Sequence, residues 1–435
     1  MGILRDDALT RSLGSQMVPP HRVLLLSYEF THSPFSGNGV LARSIATALL
    51  KCGLAVRCVC SRPTCAGISP DAPIVSPEVT DEQAGALAVW AVTLSPEDGW
   101  KRVDRECAWE KFAEGAAGFS ADVAAFSPQA CIAVDWHGAG AWRALSAAGA
   151  ALPRPLYINF RVYSSGAPEE SAWYTPQEVH ALETAAAVLA LSARDQASLR
   201  ALSETAPAPG LLLPPLRGDV HALALSDAPA LVMPEAAAVV AAAAGAGRRC
   251  FLSCVVRLSP EKDPLLFAKL CAALGAERLG ALGITPLLCG AASDASYAQT
   301  VRETLLAAVP TAVVVDSFLG PAALGAIFSR TALNVHPCGY DAYGMTLVEA
   351  AAFGSPSLVN GGGAVGATSL LGADGALQVS LETLSTTELA ETVLAALAEP
   401  QRLTAVAAVA RERALGYDEE ACGRQILEHL GAVGA

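Results

Sequence analysis

Short apolar runs alternate along this chain with longer stretches in which apolar residues recur every three or four positions. Arg22-Val-Leu-Leu-Leu-Ser27 is a run of the first kind, and an unbroken apolar run of that length suits a strand buried on both faces. It leads through Ser33-Pro-Phe-Ser-Gly-Asn-Gly39 into a helical pattern from Val40 to Cys52, which Gly53 stops. Ala55–Cys60 is the next strand. Strand, glycine loop, helix, strand is the opening unit of a doubly wound sheet. Later runs predict strands at Ala130–Val134, Pro155–Phe160 and Val188–Ser192, with helices between them. The layout then restarts. Strands are expected at Cys250–Val256, Pro286–Cys289, Ala312–Val315, Leu333–His336 and Ser357–Val359, and helices at Pro264–Leu274 and Met345–Phe353.

This double alternation predicts an α/β chain of two Rossmann-like halves with parallel sheets. Residues 1–20 read as a loose leader, 21–215 as the first domain and 216–247 as an interdomain connection with some helix around Pro234–Ala244. Residues 248–395 read as the second domain, and 396–435 as a helical tail.

Composition sharpens this little. At 435 residues and 52% apolar, the chain has material for two cores. A net charge of −13 argues against non-specific nucleic-acid binding. It leaves room for an anionic small ligand held by local cations and helix starts. The 12 cysteines are scattered, without a Cys-x-x-Cys pair, and read as reduced small hydrophobes. No secretory signal or transmembrane segment is legible, and Asp6 spoils the myristoylation pattern that Gly2 suggests. The expectation is a soluble cytoplasmic protein.

The chemistry concentrates in the second half. Arg257-Leu-Ser-Pro-Glu-Lys262 follows a strand directly, at the sheet edge where open α/β folds bind ligands. A planar guanidinium and a mobile ammonium there suit a diphosphate, although a charged, solvated loop would look the same. His336-Pro-Cys-Gly-Tyr-Asp-Ala-Tyr-Gly-Met-Thr-Leu-Val-Glu-Ala350 runs from a strand end through a loop into a helix. Gly344 permits close backbone approach, and the free amides near Gly344, Met345 and Thr346 suit a phosphate. Asp341 precedes that helix start and Glu349 lies beyond it, so hydroxyl acceptors flank an anion site.

These segments resemble retaining glycosyltransferases of the GT-B fold, specifically glycosyltransferase family 4. The likeness rests on the Arg257-Leu-x-x-x-Lys262 loop and on two acids with seven residues between them, Asp341 and Glu349. Tyr340-Asp-Ala-Tyr-Gly-Met and Val348-Glu-Ala-Ala-Ala-Phe-Gly-Ser-Pro356 surround those acids. The resemblance implies that Arg257 and Lys262 bind the donor diphosphate, that Asp341 holds the transferred sugar and that Glu349 holds the ribose. The family usually has Glu where this chain has Asp341. Gly361-Gly-Gly363 follows the next strand as in the family, without the Glu that often comes after it. Phe318 and Leu324 resemble the region bordering the nucleotide base. In the first half, Gly37 and Gly39 resemble the N-terminal glycine loop. Asp135-Trp-His137 resembles a stretch in the glycogen-synthase-like branch, which implies that His137 meets the donor sugar. Asn159, Arg161 and Glu29 also sit at strand ends but stay outside the expected site.

The implied activity is transfer of a hexosyl group from a nucleotide diphosphate sugar, uridine diphosphate among the candidates, with retention at the anomeric carbon. The acceptor, whether glycan, lipid or small molecule, is not legible. No cofactor or metal is expected, since cations replace one and no Asp-x-Asp motif is evident. Alternatives are a sugar-nucleotide epimerase, a phosphorylase of related fold, or a catalytically idle binding or scaffold protein.

Overall fold

The computed structural model describes residues 21–30, 37–63, 86–94, 108–165, 168–226, 249–292, 294–317 and 319–433. The expected leader, most of the interdomain connection with its helix at Pro234–Ala244, and Phe318 lie outside them.

Two parallel sheets organise the chain. The first contains β1 (Arg22–Leu26), β2 (Ala55–Pro63), β3 (Leu87–Leu94), β4 (Ala130–Val134), β5 (Leu156–Asn159), β6 (Ala187–Ala190) and β7 (Gly210–Leu211). Their spatial order is β3-β2-β1-β4-β5-β6-β7. The second contains β8 (Phe251–Val255), β9 (Thr285–Cys289), β10 (Val313–Val315), β11 (Thr331–Val335), β12 (Ser357–Asn360) and β13 (Leu377–Val379), in the order β10-β9-β8-β11-β12-β13. Each sheet therefore reverses its winding once, between β1 and β4 and between β8 and β11. Such switch points leave a crevice outside the carboxyl ends of the strands. Central strands are buried because helices cover both faces: β4, wholly apolar, and β8, apolar but for Ser253, are buried at every position.

The expected strands and helices recur with small shifts at their ends. Two differences matter. The first helix spans Gly37–Lys51, so Gly37 and Gly39 belong to its first turn instead of to a loop. Gly37 is closely packed: a Cβ there would lie 2.9 Å from Phe160 Cζ. The second difference is three edge strands, β3, β7 and β13, which the sequence reading omitted.

The tail is helical, with helices at Pro400–Gly416 and Glu419–Val433. The helix Glu419–Val433 crosses back to the first half and packs on the helix Gly37–Lys51. A Cβ on Gly423 would stand 2.7 Å from Ala48 O, so the two helices touch at backbone distance. Lys51 pairs with the buried Glu419, and Gln425 Nε2 donates to Leu211 O at 2.9 Å. One apolar core accordingly runs from Val23 and Leu41 through Tyr343 and Leu347 to Cys422 and Ile426. Among the described residues no single helix is long and apolar enough to cross a membrane.

Candidate functional site

The two crevices collect most of the polar groups flagged in the sequence. In the second half, the segment after β8 and the segment after β11 meet across the switch point. Lys262 closes a short 3-10 turn, Pro260–Lys262. Its Nζ lies 2.7 Å from Asp341 Oδ2, with the two side chains 21% and 15% exposed. His336, buried directly after β11, places Nε2 3.2 Å from the same oxygen. Burial alone would raise the Asp341 carboxyl, but Lys262 and His336 outweigh it and hold the group well below the usual carboxylate range. For His336, burial opposes the charge, yet Cys338 and Asp341 prevail and lift it to about 9. The Cys338 thiol donates to Lys262 O at 3.4 Å, tying the two loops together.

The helix Met345–Ala352 starts beside this group. Gly344 caps it in the left-handed region, φ +86, and no side chain caps it. A Cβ at Gly344 would come within 3.1 Å of Leu347 Cδ1 and 3.3 Å of Val365 Cγ1. Leu347 N donates to Gly344 O, so the amides of Met345 and Thr346 precede the helix's own ladder. Glu349 is buried one turn on and lines a small pocket with Arg217, Tyr343, Met345 and Val348. Burial lifts its carboxyl to about 7, against the pull of Arg217. Arg217 Nη1 stands 3.7 Å from Glu349 Oε1, and the same guanidinium grips Asp219 through Nε at 3.1 Å and Nη2 at 2.8 Å.

Not every expected residue joins this cluster. Arg257 is half exposed and pairs with Glu261, 3.3 Å away on its own loop. Leu324 is buried in the apolar layer with Phe251, Val255 and Leu287, away from the pocket beside Glu349, because an aliphatic side chain on that helix face is drawn into the core. In the first half, His137 is buried against the rings of Tyr28 and Trp136. Burial lowers it to about 3, so it stays neutral.

The crevice of the first half centres instead on Asp135, which the sequence showed only as a neighbour of His137. Asp135 is fully buried and adopts φ +56, a strained conformation for a side-chain-bearing residue. Asn38 Nδ2, at the start of the first helix, donates to Asp135 Oδ2 at 2.7 Å, and Phe160 N donates to Oδ1 at 2.6 Å. Burial lifts this carboxyl to about 8 despite those bonds. Arg161, partly buried, lies over the Tyr163 ring at 5.3 Å. The halves also touch beside the site: Tyr340 OH, next to Asp341, donates to the buried Asp195 of the first half at 2.8 Å.

No family model and no curated protein matches this sequence. Solved structures match it along nearly its whole length. The trehalose-6-phosphate protein from E. coli bound with UDP-2-fluoro glucose has a TM-score of 0.71 at 14% identity, covering 94% of this chain and 99% of that one. The sucrose-phosphate synthase from Thermosynechococcus elongatus has a TM-score of 0.69 at 18% identity, covering 94% and 97%. An alpha,alpha-trehalose-phosphate synthase from Burkholderia xenovorans, in complex with glucose-6-phosphate, has a TM-score of 0.67 at 15% identity, covering 94% and 100%. The fold is thus GT-B: two Rossmann-like domains of parallel sheet with a cleft between them.

Proposed function

We propose that this chain is a glycosyltransferase that moves a hexosyl group from a nucleotide diphosphate sugar to an acceptor hydroxyl, with retention. The observation that carries the proposal is the Lys262–Asp341 pair at the second switch point, 2.7 Å apart and beside a helix start with no side-chain cap. A cation and two free amides suit the diphosphate, and a carboxylate held ionised suits the sugar hydroxyls. Glu349, one turn further, is placed to accept from ribose. The donor base is taken as uracil because the E. coli neighbour holds a UDP sugar.

In this reading, Lys262 and the amides of Met345 and Thr346 stabilise charge as the diphosphate departs. Arg257, free to leave its surface pair with Glu261, swings in as the second cation. The acceptor hydroxyl attacks the face the diphosphate leaves, and the departing phosphate takes its proton, so no protein base is needed. The neutral His137 and the buried Asp135 shape the opposite wall. A phosphorylated sugar is the first acceptor to test, since Arg161 supplies a partly buried cation on that side and one neighbour holds glucose-6-phosphate. The domain boundaries assigned from the sequence are proposed as the moving units, with the last helix fastened to the first of them.

The test is donor hydrolysis across a panel of nucleotide sugars, followed by transfer to sugar phosphates. Lys262→Ala and Glu349→Ala should each lower turnover by about 10²-fold or more while circular dichroism stays unchanged. Unchanged turnover in either variant rejects the site. Absence of binding to any nucleoside diphosphate would favour the idle binding or scaffold reading.

A further inference from the structure

We propose that His336, Cys338 and Asp341 form a binding site for a thiophilic divalent cation such as zinc, which competes with Lys262 for Asp341 and thereby excludes the donor. The three side chains offer nitrogen, sulfur and oxygen atoms that lie within 4.8 Å of one another. A zinc ion with bonds of about 2.0–2.3 Å holds its ligands about 3.5 Å apart; His336 Nε2 and Asp341 Oδ2 are already 3.2 Å apart, and no pair needs to close by more than about 1.3 Å. That contraction is small for three residues on one six-residue turn. The mixed donor set suits zinc or cobalt and is a poor match for calcium or magnesium.

Two further observations point to a ligand here. His336 is 2% exposed, and its Nε2 makes no aligned hydrogen bond although it faces the Asp341 carboxylate. The carboxylate 3.2 Å away gives this buried nitrogen an ion-pair contact without an aligned hydrogen bond, so it gains from a better-aligned partner. Cys338 is fully buried, and its thiol donates to Lys262 O on the facing loop. Lys262 already places positive charge against Asp341, so the turn is built to hold a cation. The lysine side chain is 21% exposed and long enough to swing outward.

The binding step balances as an exchange. The cation takes the Nε2 lone pair of neutral His336, a carboxylate oxygen of Asp341 and the thiolate of Cys338. The thiol proton, and the proton of any imidazolium, pass to solvent. A water completes the tetrahedron. Lys262 loses its partner. The cation site stands on these three residues alone; only the exclusion of donor rests on the proposed glycosyl transfer.

The experiment titrates the metal-free, full-length protein with Co²⁺ under reducing conditions and follows thiolate-to-cobalt charge-transfer and tetrahedral ligand-field absorption. One equivalent should produce both. Cys338→Ser should abolish the charge-transfer band, and His336→Gln should weaken binding about tenfold or more. Lys262→Met, which removes the competing ammonium, should tighten binding about tenfold. The site is rejected if no thiolate band forms, if the band survives Cys338→Ser, or if Lys262→Met weakens binding. Circular dichroism of each variant shows that the fold is kept. Zinc should also block nucleoside diphosphate binding in the unsubstituted protein. Cobalt bands with no nucleotide binding in the metal-free protein would uphold the cation site and reject the donor reading; nucleotide binding without cobalt bands would do the reverse.

Discussion

Replacing Glu349 with Gln separates what that carboxyl does for activity from what it does to stability. The side chain is 7% exposed, and burial moves its carboxyl from 4.5 to about 7. At about 1.4 kcal/mol per pH unit, that displacement corresponds to about 3 kcal/mol. The sign follows from linkage. The folded protein binds this proton more tightly than the unfolded chain does. The stabilisation is therefore fully present below about pH 4.5 and is lost as pH rises through about 7. Gln keeps the shape and cannot ionise, so Glu349→Gln should match the unsubstituted protein at pH 4.5 and exceed its stability by about 3 kcal/mol at pH 8. Asp341, Asp135 and His336 titrate in both proteins and cancel in the difference. Urea denaturation of the two proteins between pH 4.5 and 8, scored as the difference in unfolding free energy, measures the effect. Donor turnover should fall at least about tenfold in the same variant, since an amide accepts fewer ribose hydroxyl bonds. A stability difference independent of pH would refute the burial argument; undiminished turnover would refute the ribose role.

Arg217→Met should push the Glu349 carboxyl higher still, because Arg217 is what opposes its burial; the donor KM then rises at pH 7 and recovers partly at pH 9, whereas a loss equal at both pH values would contradict the pairing. Gly344→Ala should cost about 1–2 kcal/mol, since φ +86 disfavours any side chain and the new methyl meets Leu347 and Val365; thermal denaturation reads it. Tyr340→Phe removes the 2.8 Å bond to buried Asp195 and should cost about 2 kcal/mol, with a raised donor KM because the neighbouring Asp341 loses its restraint; steady-state kinetics with urea denaturation separates the two effects.

The residues that the sequence displayed well are those whose meaning is local. β4 and the helix Pro264–Leu274 appear at the expected positions because a strand buried on both faces and a proline-started helix announce themselves within their own few residues. Lys262 and Asp341 were legible for a related reason: each follows a strand, and topology alone brings the ends of β8 and β11 together. β7 and β13 were missed because edge strands of two and three residues carry no readable pattern; β3 was missed although its run Leu87–Leu94 is almost wholly apolar, and only its pairing with β2 identifies it as the edge of the first sheet. The return of the helix Glu419–Val433 onto the helix Gly37–Lys51 had no local signal, since its partners lie more than three hundred residues away. Arg217 was hidden in the same way: nothing near it in sequence points to Glu349. Asp135 stood in plain sight, but its left-handed backbone and its bonds to Asn38 and Phe160 exist only in three dimensions.

An acidic chain can present a cleft that accepts an anion, and the carboxyls themselves explain how. Net charge counts every acid as ionised, but burial does not. At pH 7, Asp135, lifted to about 8, is mostly neutral, and Glu349, lifted to about 7, is about half ionised. Asp341 keeps its charge only because Lys262 and His336 stand against it. Arg217 divides its charge between Asp219 and Glu349. Around the second switch point, therefore, the cations Lys262, His336 and Arg217 stand directly against the carboxyl groups of Asp341, Asp219 and Glu349 and offset them. The −13 of the whole chain is a formal count over all residues and does not describe this cleft, and whatever part of it lies on the exposed surface is screened by water and salt. A diphosphate entering this cleft meets the local balance, in a site dry enough for that balance to count.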